Sequence, residues 1–141
     1  MRLCASSSAG AFKWACVNVL RGVGDAFSTG SVEAFQMAAM KNGIDICMIV
    51  TYEAGSTDMR TPIKDIIEKR CCLATVLFGQ TQDISSLLLE AHKQNYAGEW
   101  IMSDNVMGAL DGVISNLHNN NLDKPTIHKL LRGLFACILK E

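Results

Sequence analysis

Few residues of this chain have the type and spacing to do chemistry. The first candidates are two glycines, Gly22-x-Gly24, just after the apolar run Trp14 to Leu20. Glycines between a strand and a helix let backbone amides approach a pyrophosphate. Here the third glycine position of that fingerprint holds Phe27, and Glu53 comes about ten residues later than the acid that would bind a ribose. A side chain at the third position obstructs the phosphate, so the stretch reads as an ordinary strand-to-helix turn. Ser28, His92 and Asp104 contain the atoms of a nucleophile, a base and an acid. There is no Gly-x-Ser-x-Gly elbow, however, and His92 falls within a helix rather than at a strand end. No catalytic residue is assigned, and the chain is read as non-enzymatic.

The six cysteines and three histidines are the remaining candidates. Cys16, Cys47 and Cys137 fall within apolar runs, where a free thiol packs as a small hydrophobe. Cys71 and Cys72 are adjacent rather than at C-x-x-C spacing, so they match neither a zinc knuckle nor a thioredoxin-type pair. Cys4 belongs to a loose terminus. His92, His118 and His128 show no ligand spacing with one another or with the cysteines. Packing is the expected role of the cysteines, with no metal and no cofactor. The redox compartment stays open, since nothing in the spacing requires or forbids pairing.

With 141 residues, 49% of them hydrophobic and 19% charged, and a formal net charge of −1, the chain is long enough for one buried core. That charge gives no electrostatic case for nucleic acid or an anionic membrane surface. Its apolar runs are far shorter than the roughly 20 residues that cross a bilayer, and Lys13 interrupts the N-terminal apolar stretch too early for a signal peptide.

The elements that must position these residues repeat a strand–helix unit. Trp14 to Leu20 is a strand, and Arg21 to Ser31 a glycine-rich turn into a helix that buries Val32, Phe35 and Ala39 and stops at Asn42-Gly43. Ile44 to Thr51 is a second strand, followed by a polar loop and a short helix capped by Thr61, with Pro62 in its first turn and Ile63, Ile66 and Ile67 inward. Cys72 to Phe78 is an apolar strand closed by Gly79. Thr81 or Asp83 caps the next helix, whose Ile84, Leu87, Leu88 and Ala91 share one face. Glu99 to Ser103 is a fourth strand. Beyond it come a helix over Val106 to Leu117, a turn at His118 to Asp123, a helix opened by Pro125, and a last strand at Leu134 to Leu139.

This order predicts an α/β fold, a Rossmann-like parallel sheet of about five strands flanked by helices. Residues 1–12 are a loose N-terminus and 13–141 a single lobe. Parallel strands put Asp25 to Ser31, Thr51 to Asp58, Gly79 to Asp83 and Ser103 to Asn105 on one edge, where open α/β sheets bind ligands.

Four pieces along this frame resemble a known pattern. GDAFSTGSVEAFQMAAMKNGIDI, and then VLFGQTQDISSLLLEAHKQNYAGEWIMSDN, are similar to the ligand-binding region of the receptor family that includes metabotropic glutamate receptors and bacterial branched-chain amino-acid-binding proteins. The matching positions are Asp25 to Gly30 (a D-x-Y-G-x-x-G-like turn), Glu33 to Phe35, Thr75 to Phe78, and Gly98 to Asp104 (here G-x-W-x-x-S-D, one residue shorter than the family's G-x-x-W-x-x-S-D). Similarity runs from about Lys13 to Asn105, and more faintly to Ile138.

The resemblance implies one lobe, the second, of a two-lobed type 1 periplasmic-binding-protein fold that holds its ligand in a cleft. It implies a small-molecule, amino-acid-like ligand, a missing first lobe and a receptor dimer as partners, and a place on the extracellular or periplasmic side of a membrane. In such proteins the turn tyrosine packs over the ligand and the acid of S-D holds its ammonium. Those positions are Phe27, which keeps the ring without the hydroxyl, and Asp104. The family's Gly-Trp after the acid is replaced by Asn105-Val106. A helix cap for Asp104 and a core contact for Phe27 stand as alternatives. A stand-alone Rossmann-like enzyme using a nucleotide cofactor, and a lobe serving mainly in dimer contacts, are the competing readings of the whole chain.

Overall fold

The computed structural model describes residues 3–5, 16–24, 26–69, 71–103 and 110–131, without the side chains of 3–5, 26–28 and 103. Its elements run β1 (Leu3–Ala5), β2 (Cys16–Val23), α1 (Ala26–Lys41), β3 (Asp45–Glu53), α2 (Arg60–Lys69), β4 (Ala74–Phe78), α3 (Thr81–Lys93), β5 (Glu99–Ser103), α4 (Leu110–Asn119) and α5 (Lys124–Leu130). They build one sheet in the order β1-β5-β4-β2-β3. β2, β3, β4 and β5 pair in parallel, whereas β1 runs antiparallel to β5, Leu3 opposite Ser103. The expected parallel α/β sheet is present. Its fifth described strand comes from Leu3–Ala5, within the segment expected to be loose, because the outer edge of β5 offers free backbone donors and acceptors. Leu134 to Leu139, the strand expected at the other terminus, lies outside the described residues, as do Cys137 and Gly133.

Alternation along the strands divides the core into two. Val17 and Val19 of β2, Ala74, Val76 and Phe78 of β4, and Ile101 of β5 face α1 and meet its Val32, Phe35 and Ala39. Leu20, Leu77, Trp100 and Met102 point the other way, onto Ile63, Ile66, Ile84, Leu87, Leu88, Val113, Leu117 and Ile127 from the remaining helices. With helices on both faces, every residue of β4 is buried, and for this reason Ala74–Phe78, apolar at all positions but Thr75, does not alternate between apolar and polar.

Several local expectations shift. β2 extends to Val23 and α1 begins at Ala26, so Gly30 lies inside the helix rather than in a turn. Gly43 ends α1 in a left-handed conformation, φ 69°, as its position after Asn42 suggests. Thr61 is already inside α2 and does not cap it; Asp58 accepts from the Arg60 amide at 3.1 Å just ahead of the helix. At α3 the N-cap is Gln80, with no side-chain cap bond, and Asp83 is directed elsewhere. Asp123 caps α5 by accepting from the Thr126 amide at 2.9 Å, and the Thr126 hydroxyl first, with that amide second, holds its carboxyl below the usual range.

At the amino end of the sheet a polar group is buried with partners. Asn18, wholly buried in β2, donates to the Cys72 carbonyl at 2.8 Å and to Thr75 Oγ1 at 3.2 Å, and Thr75 meets the Tyr96 hydroxyl at 3.0 Å. Burial raises the Tyr96 phenol above its ordinary 10.0; the Thr75 hydrogen bond opposes this and the charge of Glu99 adds to it. The folded state therefore keeps a proton that the unfolded chain gives up, and stability falls as pH rises past about 10. Unfolding midpoints measured from neutral to alkaline pH should decline less steeply in Tyr96→Phe than in the parent. Equal slopes would remove Tyr96 as the cause.

Candidate functional site

The strand order reverses beside β2: α1 carries the chain from β2 outward to β3, and the next crossover returns it across β2 to β4. A crevice at such a reversal, outside the carboxyl ends of the strands, is where open α/β sheets take ligands. The described rim there consists of Gly24, Glu53 to Gly55, and Gly79 to Thr81. Gly24 and Gly55 have φ of 85° and 84°, a conformation glycine adopts without penalty, so both turns leave their strands sharply.

Beneath the rim the packing is tight. Tyr52, at the end of β3, lays its ring over Gly22 of β2 and donates its hydroxyl to the Phe78 carbonyl of β4 at 2.7 Å. A Cβ on Gly22 would stand 3.1 Å from that ring, and one on Gly79 would fall on the phenol oxygen. The first glycine of the Gly22-x-Gly24 turn thus makes room for a ring of its own chain. Asp83, only 4% exposed in the first turn of α3, accepts from the Gly55 amide at 3.0 Å. It ties the loop after β3 to α3, which is why it is not a cap. Together Tyr52 and Asp83 cross-link three successive strand exits, and this makes a rigid base for groups presented above them. Neither residue was singled out from sequence for this. Only the aromatic at a strand end and glycines at two neighbouring strand ends hinted at it.

Phe27 lies in the first turn of α1, at the exit of β2, and its side chain is among those not described. Asp104 directly follows β5 and lies outside the described residues. The structure does not bring Ser28, His92 and Asp104 together as a set: Ser28 is in the first turn of α1 at the carboxyl edge, whereas His92 is in the last turn of α3, at the opposite end of the sheet.

The cysteines depart most from expectation. Cys16 and Cys47 are not packed as small hydrophobes; Cys16 is joined to Cys72 and Cys47 to Cys71, at the amino ends of β2, β3 and β4. Their positions are half-buried or exposed, so the sulfurs meet each other rather than the core.

No family model matches the chain. Among solved structures, it is similar to the branched-chain amino acid transporter substrate binding protein LivJ from Streptococcus pneumoniae, in complex with isoleucine, with a TM-score of 0.53 and 15% identity. The likeness is one of fold. It covers 60% of this chain and 23% of LivJ, so the matched region spans about a quarter of that protein. The sheet with its flanking helices accordingly has the architecture of a Rossmann-like lobe of a periplasmic-binding-protein fold. No helix among the described residues is long and apolar enough to cross a membrane.

Proposed function

We propose that the chain is a non-enzymatic ligand-binding lobe, the second of a two-lobed receptor on the outer side of a membrane, and that it supplies one wall of a cleft for a small amine-bearing ligand such as an amino acid. The observation that carries this reading is the edge formed by parallel strand ends at a chain reversal, on a fold shared with a protein that binds isoleucine. In this reading Asp104, directly beyond β5, holds the ligand ammonium and Phe27, at the exit of β2, packs over its body. A first lobe supplies the groups for the carboxylate and closes the cleft.

One lobe buries only part of a small ligand, so calorimetry on this chain alone should show amino-acid affinity no tighter than about millimolar. Micromolar binding without a second lobe would overturn the two-lobe reading. In the two-lobed protein, Asp104→Asn should lower affinity for the bound amino acid about 10- to 100-fold, because a hydrogen bond to a charged group contributes roughly 1.5–3 kcal/mol. Its thermal stability should stay unchanged, since asparagine caps a helix about as well as aspartate. Unchanged affinity would remove Asp104 from the site.

A further inference from the structure

We propose that Cys16, Cys47, Cys71 and Cys72, when reduced, form a tetrathiolate site for a zinc ion. The sulfurs of Cys47, Cys71 and Cys72 lie within 4.8 Å of one another, and Cys16 is joined to Cys72. A zinc ion with bonds of about 2.3 Å to four thiolates needs its sulfurs about 3.8 Å apart, so Cys16, which is not part of the 4.8 Å group, has to turn toward the other three once its bond to Cys72 is opened. The Cα atoms of the two bonded pairs stand 5.9 and 6.1 Å apart.

A second feature of the backbone serves the same cluster. The register of β2 against β3 passes from Val17 opposite Ile46 to Asn18 opposite Met48, so Cys47 is the extra residue of a bulge. A bulge re-aims the side chain it inserts, and here that side chain joins sulfurs contributed from just ahead of β4. Cys71 and Cys72 also line a cavity of about 450 Å³ bounded by Ile66, Ile67, Tyr96 and Gly98, and Cys47 and Cys71 are exposed to solvent. Asn18 holds the Cys72 carbonyl from beneath at 2.8 Å, fixing the backbone that bears two of the thiols. Spacing along the chain conceals all this, because the cysteines come from three separate stretches.

The two disulfides are the oxidised state of the same four sulfurs. Two dithiol reductants, each giving two electrons and two protons and itself becoming a disulfide, open Cys16–Cys72 and Cys47–Cys71 to four thiols. Zinc binding then releases four protons and leaves the metal with four thiolates. In either state the sulfurs clip the amino ends of β2, β3 and β4 together, at the edge of the sheet opposite the ligand-binding rim. The site therefore stands apart from the proposed amino-acid cleft, and either can fail without the other.

The test uses the full chain carrying Cys4→Ser and Cys137→Ser, reduced with a phosphine under nitrogen, with circular dichroism to follow folding. Competition with a chromophoric chelator should give one zinc per chain, and cobalt should give the thiolate charge-transfer and ligand-field bands of a tetrahedral sulfur site. Cys47→Ser should weaken binding by more than the roughly 10- to 100-fold that loss of an outer-shell partner costs. If the reduced chain loses its fold, recovery of the folded spectrum on adding zinc supports the site, and failure to recover overturns it. A folded, reduced chain that retains no zinc, or retains it equally well in Cys47→Ser, also overturns the proposal.

Discussion

Gly79→Ala is expected to destabilise the chain by about 2–4 kcal/mol, a large effect for one methyl group. The added Cβ falls on the Tyr52 hydroxyl oxygen, and that ring cannot swing aside freely because it is 4% exposed and lies against Gly22. Either the ring moves and gives up its 2.7 Å bond to the Phe78 carbonyl, or the ends of β3 and β4 separate. Overpacking costs about 1–3 kcal/mol and a lost buried hydrogen bond a similar amount. Tyr52→Phe removes the atom in the way, so the double variant should be more stable than the sum of the single effects predicts, by at least about 1 kcal/mol. Urea unfolding of the four proteins measures this coupling, and strict additivity would show that the two residues do not share the space.

Trp100→Ala should be the more damaging change, at about 3–5 kcal/mol. The indole is 2% exposed in β5 and belongs to the larger of the two apolar clusters. It also packs against Tyr96 with ring centroids 4.9 Å apart and planes tilted by 51°, a geometry that adds about 0.5–1.5 kcal/mol beyond buried area. Removing it empties the space between β5 and the helices on that face. With domain stabilities of about 5–15 kcal/mol in all, that loss removes a large share of the total, and the unfolding midpoint should fall by many degrees. Met40→Ala is the matched control: its side chain is 83% exposed on α1, and its midpoint should move by no more than about 0.5 kcal/mol. A Trp100→Ala midpoint as close to the parent as that of Met40→Ala would contradict the burial on which the argument rests.

The two experiments separate the base of the proposed site from the core. Gly79 and Tyr52 hold strand exits in register under the rim, so relief of their clash should restore stability and, in a two-lobed protein, ligand affinity together. Trp100 is remote from the rim, and its loss acts through the fold alone.

Local pattern determined much of this molecule. Ala74–Phe78 is apolar at every position but Thr75 because both faces of β4 are covered, and Glu99–Ser103 is bounded by Gly98 and by the end of its apolar run. The stripe Ile84, Leu87, Leu88 and Ala91 gave the buried face of α3 because a 3.6-residue period must bring those side chains onto one side. Asn42-Gly43 marked the end of α1 because a left-handed residue was needed there. These are properties of neighbours in the chain, and they sufficed for the α/β order and hence for the edge where a ligand would bind.

Contacts between distant stretches were decided only by the tertiary structure. Asp83 looked like a cap, the local role of an acid in a first helical turn, until the loop after β3 placed the Gly55 amide beside it. Tyr52 gave no sign of spanning to Phe78, since the intervening strand, β2, precedes both in sequence. The cysteines were misread for the same reason: residues 16, 47 and 71–72 become neighbours only when three strands start side by side and a bulge turns Cys47 toward the others. Periodicity reports which face a side chain takes, but it carries no information about which other stretch will lie against that face.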